Sequence, residues 1–272
     1  MNWIWEVLEM TLGANIMNDF GNVLSRKRAE LIKKYELDVK NLPTKEEIDN
    51  QTRINALDKL KQQKQEAWST WNLYPAHRKI QFNFSKWKPD MQKDTENARE
   101  LGKKAYLLSK RMKNETLNVL FVGAPGTGKT SLALAIAKEL DKHILFISTA
   151  ELAALFDTDL RNSPDVKQKL RNVENAMIGI DVLIIDDLGT EGSMRFKNFG
   201  VTEKMQHLMY RVANGRFDFE KNKIARTTLI TTNNTDDELN NMYDPKIISR
   251  LIPKKQEQRI AFNNMQDVRG MG

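Results

Sequence analysis

Cysteine is absent from this chain of 272 residues, which excludes disulfide bonds, thiol nucleophiles and zinc sites built on cysteine. The three histidines, His77, His143 and His207, are far apart in the sequence and show no metal-ligand spacing. No apolar run approaches the roughly 20 residues that a membrane span needs. The opening segment carries Glu6 and Glu9, where a secretory signal would have a basic start and an apolar stretch. We therefore expect a cytoplasmic protein with no membrane partner.

Charge is plentiful but unevenly distributed. The whole chain has 43 basic and 36 acidic side chains, a net of +7, and 40% of its residues are apolar, as in globular proteins. Residues 51–113 alone hold 15 basic and 6 acidic side chains, so this segment carries +9. Such a segment favours an acidic partner surface or a nucleic-acid backbone, although a solvated helix face has the same composition. Both interpretations stay open.

The first third of the chain has a helical pattern. Apolar residues follow a helical period over 15–36, and a second period continues to about Trp71. Thr44 with Glu47 three residues later is a capping box, which predicts that the second helix begins there. A further helix is expected over Thr95–Met112. These helices predict an all-helical region ahead of the rest of the chain.

The helical region is rich in tryptophan, a residue that is common in protein interfaces. All five tryptophans fall within the first 87 residues. Tryptophan is favoured at the centres of protein interfaces, but it also fills small helical cores, and the sequence leaves both uses open. We predict three segments: a small helical partner-binding domain (1–75), a basic linker with a leading helix (76–115) and a third domain (116–272).

From residue 117 onward, short apolar strands alternate with helical segments. Helices are predicted over Ser131–Leu140 and Thr202–Val212. The alternation argues for an α/β fold with a parallel five-stranded sheet that is covered by helices on both faces. The predicted strands are Leu117–Val122, Ile144–Ser148, Val182–Ile185, Leu229–Thr232 and Arg259–Phe262.

A phosphate-loop (Walker A) motif, G-x-x-x-x-G-K-[ST], stands between the first of these strands and the following helix. Its glycines let backbone amides turn toward a phosphate group, and the helix N-terminus adds partial positive charge. In this motif Lys129 reaches the β- and γ-phosphates of ATP, and the Thr130 hydroxyl ligates Mg²⁺. The predicted nucleotide contacts are Gly123, Ala124, Pro125, Gly126, Thr127, Gly128, Lys129, Thr130 and Ser131.

Polar residues follow two later strands. Asp186 and Asp187 come directly after the apolar run over 182–185. Because the carboxyl ends of parallel strands lie at one edge of a sheet, we expect these acids beside the phosphate loop. We predict that Asp186 holds Mg²⁺ and that Asp187 orients the attacking water. Asn233 follows the strand over 229–232 and is predicted to reach the γ-phosphate or that water.

These motifs, followed by Arg250 in the phrase SRL, resemble those of the AAA+ ATPases over residues 116–272. The phrase IIDDLGTE (Ile184–Glu191), then TTNN and SRL, is similar to the DnaC/DnaI-type replicative helicase loaders and the related IstB transposition helpers. The stretch FSKWKPD (Phe84–Asp90) is more similar to a loader. The resemblance implies an AAA+ P-loop core, with Asn233 as the sensor and Arg250 as an arginine finger supplied to a neighbouring subunit.

The chain departs from the family pattern in three respects. Asp187 stands where many AAA+ proteins have glutamate, and its shorter side chain predicts slow, switch-like hydrolysis. The usual helical lid is expected to be absent, which leaves Arg269 as the only late candidate for a second sensor arginine. DnaI-type loaders carry zinc in the N-terminal domain, and a chain without cysteine cannot build that cysteine-based site.

The resemblance implies a loader of a hexameric replicative helicase that uses ATP and Mg²⁺, binds single-stranded DNA and assembles with itself as a hexamer or spiral. Three alternatives stay open: a transposition helper, a replication initiator and, from another class, a P-loop kinase. Asn233 and Arg250 argue against the kinase, which needs neither. Candidate DNA contacts, which an exposed helix face would also explain, are Arg161, Lys167, Lys169 and Arg171.

Overall fold

The computed structural model describes most of the predicted third domain and the segment leading into it. None of the helices in its described ranges is both long and apolar enough to cross a membrane. The helix predicted over 15–36 and the candidate DNA contact Arg161 lie outside the described residues, apart from isolated helical positions. The described residues are 44–157, 163–190 and 201–270, with single positions at Arg26, Glu30 and Lys33.

The regular elements within these ranges are eight α-helices and seven strands. The helices are α1 (Lys45–Trp68), α2 (Thr95–Met112), α3 (Lys129–Glu139), α4 (Thr149–Asp157), α5 (Pro164–Gly179), α6 (Glu203–Gly215), α7 (Asp236–Met242) and α8 (Pro245–Leu251). The strands are β1 (Val119–Val122), β2 (Ile144–Ser148), β3 (Val182–Asp186), β4 (Phe217–Asp218), β5 (Lys223–Ile224), β6 (Thr227–Thr232) and β7 (Arg259–Ala261).

Five strands form one parallel sheet in the order β2-β3-β6-β1-β7. All five predicted strands are present, so the α/β class and the parallel sheet are confirmed. The helix predicted over Thr95–Met112 has those bounds, whereas the one predicted to continue to about Trp71 ends at Trp68. Strands β4 and β5 form a separate antiparallel hairpin that the sequence analysis missed, because two-residue strands are too short to show alternation.

Alternate side chains of the strands enter two apolar cores on opposite faces of the sheet. In β3, Leu183 and Ile185 belong to one core, which α5, α6 and α8 complete. Val182 and Ile184 belong to the other core, which α2 and α3 complete. All four side chains are fully buried, as expected for a parallel strand with helices on both faces.

Helix α1 begins at the predicted capping box. The backbone amide of Thr44 donates to Glu47 Oε2 (2.7 Å), and the amide of Glu47 donates to Thr44 Oγ1 (3.2 Å). The chain divides into two compact units, residues 1–60 and 61–272, so α1 spans the division. Within the second unit, Gln65 Nε2 donates to the carbonyl of Gly179 (2.9 Å). The three-segment division at 75 and 115 stays a prediction.

Arg216 ties the amino end of β6 to the last turn of α5. Its guanidinium is fully buried and donates to backbone carbonyls of both elements and to that of Ile180, the residue after α5, at 3.0 Å. Burial lowers the pKa of Arg216 to about 9. The buried cation is therefore held by carbonyl oxygens, which fixes the α5–β3 connection against β6.

Candidate functional site

The phosphate loop joins the carboxyl end of β1 to α3. Gly126 has φ 77° and Gly128 has φ 99°, a left-handed conformation that glycine adopts at little cost. Gly128 is also the residue that caps α3, so Lys129, Thr130 and Ser131 form the first turn of that helix. The loop and the helix N-terminus together place backbone amides and partial positive charge at one edge of the sheet, where a phosphate group would be stabilised.

The ammonium group of Lys129 lies in the middle of this edge. It donates to the carbonyls of Gly123 (2.8 Å) and Ala124 (2.7 Å) and to Asn233 Oδ1 (2.7 Å). The residue is only 4% exposed, and burial lowers the pKa of Lys129 while the charges of Asp187 and Asp186 act in the opposite direction. A buried cation held by neutral oxygens is suited to receive an anion such as a phosphate.

Asp186 meets the phosphate loop from the end of β3. The hydroxyls of Thr130 (2.7 Å) and Thr231 (2.8 Å) both donate to Asp186 Oδ1. Burial, followed by the charge of Asp187, raises the pKa of Asp186 to about 6. A desolvated carboxylate next to a threonine hydroxyl is a set of hard oxygen ligands, and Mg²⁺ prefers such ligands together with water and phosphate oxygens. Thr130 and Asp186 therefore fit the predicted Mg²⁺ site.

Asp187 has an unusual backbone conformation. Its φ of 57° is left-handed, which is uncommon for a residue other than glycine. Its amide donates to Thr231 Oγ1 (2.9 Å), and its carbonyl accepts from Thr149 Oγ1 (2.8 Å). These two bonds hold the backbone of Asp187 in this left-handed conformation. Strain of this kind is often kept at functional sites.

Thr231 is the site residue that sequence reasoning missed. One hydroxyl donates to Asp186 and accepts from the amide of Asp187, so it orients both acids at once. The available signal was a polar side chain near the carboxyl end of a buried strand, two residues before Asn233. That signal is weak in the run TTLITT, where four of six residues are threonine.

Replacing Thr231 by valine should lower the ATPase turnover by about 10- to 100-fold, as with other residues that orient metal ligands. Valine has nearly the same shape, so the strand should remain, but Asp186 and the amide of Asp187 lose their shared partner. Turnover at saturating ATP and Mg²⁺ checks this. Thr227→Val, at the other end of the same buried strand, is the control, and an equal loss there would contradict the orienting role.

Arg250 lies away from this site. Asn118 Nδ2 donates to the carbonyls of Arg250 (2.9 Å) and Leu251 (3.0 Å), and the amide of Thr228 donates to Asn118 Oδ1 (3.2 Å). Asn118 precedes β1, whereas the phosphate loop follows it, so the two ends are roughly 16 Å apart along an extended strand. The structure therefore places Arg250 near the amino ends of the strands, whereas the phosphate loop of its own chain lies at their carboxyl ends.

The Arg250 side chain rests on the hairpin formed by β4 and β5. Its guanidinium carbon lies 5.2 Å from the centre of the Phe219 ring, and Nη1 donates to the carbonyl of Lys246 (2.8 Å). Phe219 in turn meets Phe217 edge to face, with 5.2 Å between ring centres. A cation over an aromatic face is a stabilising arrangement. The hairpin that the sequence analysis missed thus contacts the side chain of Arg250, the predicted arginine finger.

Two segments distant in sequence cover the phosphate loop. A Cβ atom built on Gly126 would lie 1.9 Å from Asp267 Oδ1, and one built on Gly128 would lie 2.7 Å from the Trp87 ring. The amide of Arg269 donates to Asp267 Oδ1 (2.9 Å). The charge of Arg269 also lowers the pKa of Lys129, after the larger effect of burial. The structure therefore brings Arg269 into the neighbourhood of the site, while its sensor role stays a prediction.

The predicted DNA contacts on α5 are only partly described. Lys167, Lys169 and Arg171 are exposed along this helix. Arg171 donates to Gln168 Oε1 (2.9 Å) on the same helix. Exposure is compatible with DNA binding and with a solvated helix face, so this assignment stays a prediction.

The fold and the site together define a class. A parallel sheet with a phosphate loop after one strand, a buried acid after another and an asparagine after a third is the arrangement of a P-loop nucleoside triphosphatase. The model of the AAA family, described as the ATPase family associated with various cellular activities, matches residues 119–254, which is half of the chain. The chain belongs to the AAA family of ATPases, and it is a nucleotide-binding ATPase.

Individual relatives are more distant. The replicative helicase loader DnaC of Escherichia coli (strain K12) is 24% identical over 135 residues, which are 48% of this chain and 49% of that protein. The Holliday junction branch migration complex subunit RuvB of Pseudothermotoga lettingae is 35% identical over 104 residues, 37% of this chain and 27% of that protein. AMPPCP-bound DnaA from Aquifex aeolicus is 16% identical, with a TM-score of 0.47 over 65% of this chain and 50% of that one. The chain spans about half the length of the DnaC relatives that it matches.

Proposed function

We propose that this protein is an ATP-dependent loader of a hexameric replicative DNA helicase. Two observations support the proposal. The curated relative DnaC is a replicative helicase loader, and it is 24% identical to this chain over 135 residues. The second observation supports the mechanism: Arg250 lies at the amino ends of the strands, away from its own phosphate loop, so its proposed action as a finger requires the nucleotide of a second copy of the chain.

In the proposed mechanism the chain's own groups bind and orient ATP. Lys129 and the amides of the phosphate loop neutralise the β- and γ-phosphates, and Thr130 with Asp186 would hold Mg²⁺. A bound Mg²⁺ ion would supply positive charge beside the phosphate oxygens. Asp187, fixed by Thr231, orients the attacking water. Because Asp187 is one methylene shorter than glutamate, we propose slow hydrolysis that acts as a switch.

Self-assembly completes each site in this proposal. In the assembled form Arg250 would leave its contacts within its own chain and reach the nucleotide of a neighbouring subunit, where its positive charge would stabilise the phosphate oxygens. ATP binds between two subunits and therefore favours the assembled form, because that form provides contacts that the separate subunits lack. Hydrolysis removes the γ-phosphate and weakens the assembly. Single-stranded DNA and the helicase would be held by the ATP-bound form.

The helicase would dock on the first unit. Helix α1 exposes large apolar side chains at a spacing of three residues: Ile54 is 50% exposed, Leu57 57% and Leu60 54%. Residues three apart lie on neighbouring positions of one helix side. An exposed apolar patch of this kind is typical of a protein interface. This patch supports the predicted partner-binding role of the N-terminal segment.

Capture of the helicase tests the proposal. The immobilised full chain should retain the replicative helicase of the same cell, and retention should increase with ATP. Leu57→Asp with Leu60→Asp should abolish capture, whereas Gln62→Asp with Gln63→Asp, which adds the same charge to the same helix, should not. Failure of the unaltered chain to retain helicase, with and without ATP, would contradict the proposal. DNA-stimulated ATPase activity with no helicase bound would favour a transposition helper.

A further inference from the structure

A cleft on the second unit carries an excess of positive charge that the ATP site does not use. Its volume is about 390 Å³, and its walls are the segment over 69–86 on one side and the ends of α3 and β2 on the other. Thirteen residues line it, among them three lysines, Lys79, Lys86 and Lys138, and no aspartate or glutamate. The remaining lining residues include Tyr74 and Phe82 and several side-chain amides. The cleft is therefore basic, with aromatic and polar walls.

The fold holds one wall of the cleft on the edge of the sheet. The amide of Leu73 donates to the carbonyl of Phe146 (2.8 Å), and the amide of Ser148 donates to the carbonyl of Leu73 (2.9 Å). Leu73 thus pairs with the outer strand β2 in parallel fashion. The ring of Tyr74 stacks on that of Phe146, with 4.8 Å between centres. This wall is part of the sheet layer and is preformed.

The later part of the same wall is anchored in the core. Ile80 and Phe82 pack against the apolar cluster on the α3 side of the sheet. The cleft opens beside Lys138, in the last turn of α3, whereas the phosphate loop is at the first turn of the same helix. Nine residues of helix separate Lys129 from Lys138, a rise of about 14 Å. The cleft is therefore separate from the ATP site.

The three lysines of the cleft have no acidic partners among the described residues. None of the three lysines forms an ion pair with the described part of the chain. Two acids that neighbour cleft-lining residues have other partners: Glu139, next to Lys138 in the sequence, lies 3.5 Å from Lys110, and Asp181 lies 3.7 Å from the His143 ring. Three cations at one cleft that have no acidic partner in this part of the chain attract an anion.

We propose that this cleft binds a phosphodiester segment of single-stranded nucleic acid. The inference rests on the proposed function, in which the chain holds single-stranded DNA, and it assigns that binding to the cleft rather than to α5. Lysines that neutralise phosphates and aromatic rings that stack on unpaired bases are the usual components of a single-strand site. The volume is at the small end of the range for ligand pockets, about 300–1,000 Å³, which suits an unpaired nucleotide.

Two triple variants with the same loss of charge test the proposal. Lys79→Gln, Lys86→Gln and Lys138→Gln remove the cleft charges, and Lys167→Gln, Lys169→Gln and Arg171→Gln remove those of α5. Binding of fluorescent oligo(dT) to the full-length protein is measured by anisotropy over a range of salt concentrations. The cleft variant should bind about 10-fold more weakly or worse, and the slope of log K against log salt should fall by about 2, because each lost phosphate contact contributes about 0.7.

The same measurements also contain the results that would overturn the proposal. These are a larger loss in the α5 variant than in the cleft variant, no binding of oligo(dT) by the unaltered chain, or tighter binding of a duplex probe. Release of the probe by excess dTMP would show a pocket for free nucleotides rather than for a strand. All six positions are exposed, so an unchanged unfolding midpoint should accompany each result. Helicase capture is measured in a separate experiment. A negative result for oligo(dT) binding therefore does not decide whether the protein loads the helicase.

Discussion

Lys129→Ala should weaken ATP binding by about 100-fold or more, which corresponds to a loss of about 2.7 kcal/mol. The ammonium group is buried at the meeting point of the phosphate loop and Asn233, and no other side chain described there supplies a positive charge with that geometry. A fluorescent ATP analogue titrated into the variant measures the loss. The fold should survive, since burial already disfavours the charged amine and its removal relieves that cost.

Lys142→Ala provides the matched control for this result. Lys142 is exposed just after α3, so its removal takes the same charge from the chain without touching the phosphate loop. Its ATP affinity should equal that of the unaltered chain. An ATP affinity that is also unchanged in Lys129→Ala would remove the phosphate-loop assignment and, with it, the proposed mechanism.

Arg250→Ala should leave ATP affinity nearly intact and lower turnover by about 10³-fold or more, as is typical for loss of an arginine finger. The guanidinium is remote from the nucleotide of its own chain, so binding does not depend on it, whereas hydrolysis in the neighbouring site does. ATP affinity and single-turnover hydrolysis, measured on the same preparation, separate the two effects. Lys246→Ala on the same helix is the control and should retain turnover.

Mixing the two defective proteins tests whether the site is shared. Lys129→Ala subunits bind ATP poorly but still carry Arg250, and Arg250→Ala subunits bind ATP but lack the finger. A mixture should therefore hydrolyse ATP at sites where an intact phosphate loop meets an intact Arg250. Activity no greater than the sum of the separate proteins would mean that Arg250 does not act between subunits.

Local patterns predicted most of the fold. The five strands were found because each is a short apolar run between polar segments, and burial on both faces of a parallel sheet requires such runs. The helix predicted over Thr95–Met112 begins where Asp94 caps it by accepting from the amide of Asn97, a bond between residues close in the sequence. The contact between Lys129 and Asn233 was also foreseeable, since both follow strands whose carboxyl ends lie at one edge.

Long-range contacts escaped sequence reasoning. Thr231 is one threonine among several, and nothing local marks it as the partner of both Asp186 and Asp187. Asp267 lies on Gly126 although 141 positions separate them in the chain. The pairing of Leu73 with β2 is of the same kind, because a single residue that joins a sheet edge leaves no periodic pattern.

The sequence by itself determined the chemistry at the phosphate loop, since a continuous motif in a strand–loop–helix context carries its own geometry. Only the tertiary structure decided which other residues lie around the phosphate loop and which lie away from it. It placed Arg250 near the amino ends of the strands, brought Thr231 between the two acids and gathered three unpaired lysines around one cleft. Each of these depends on which strands lie side by side, and strand order in a parallel sheet is set by packing between residues far apart in the chain.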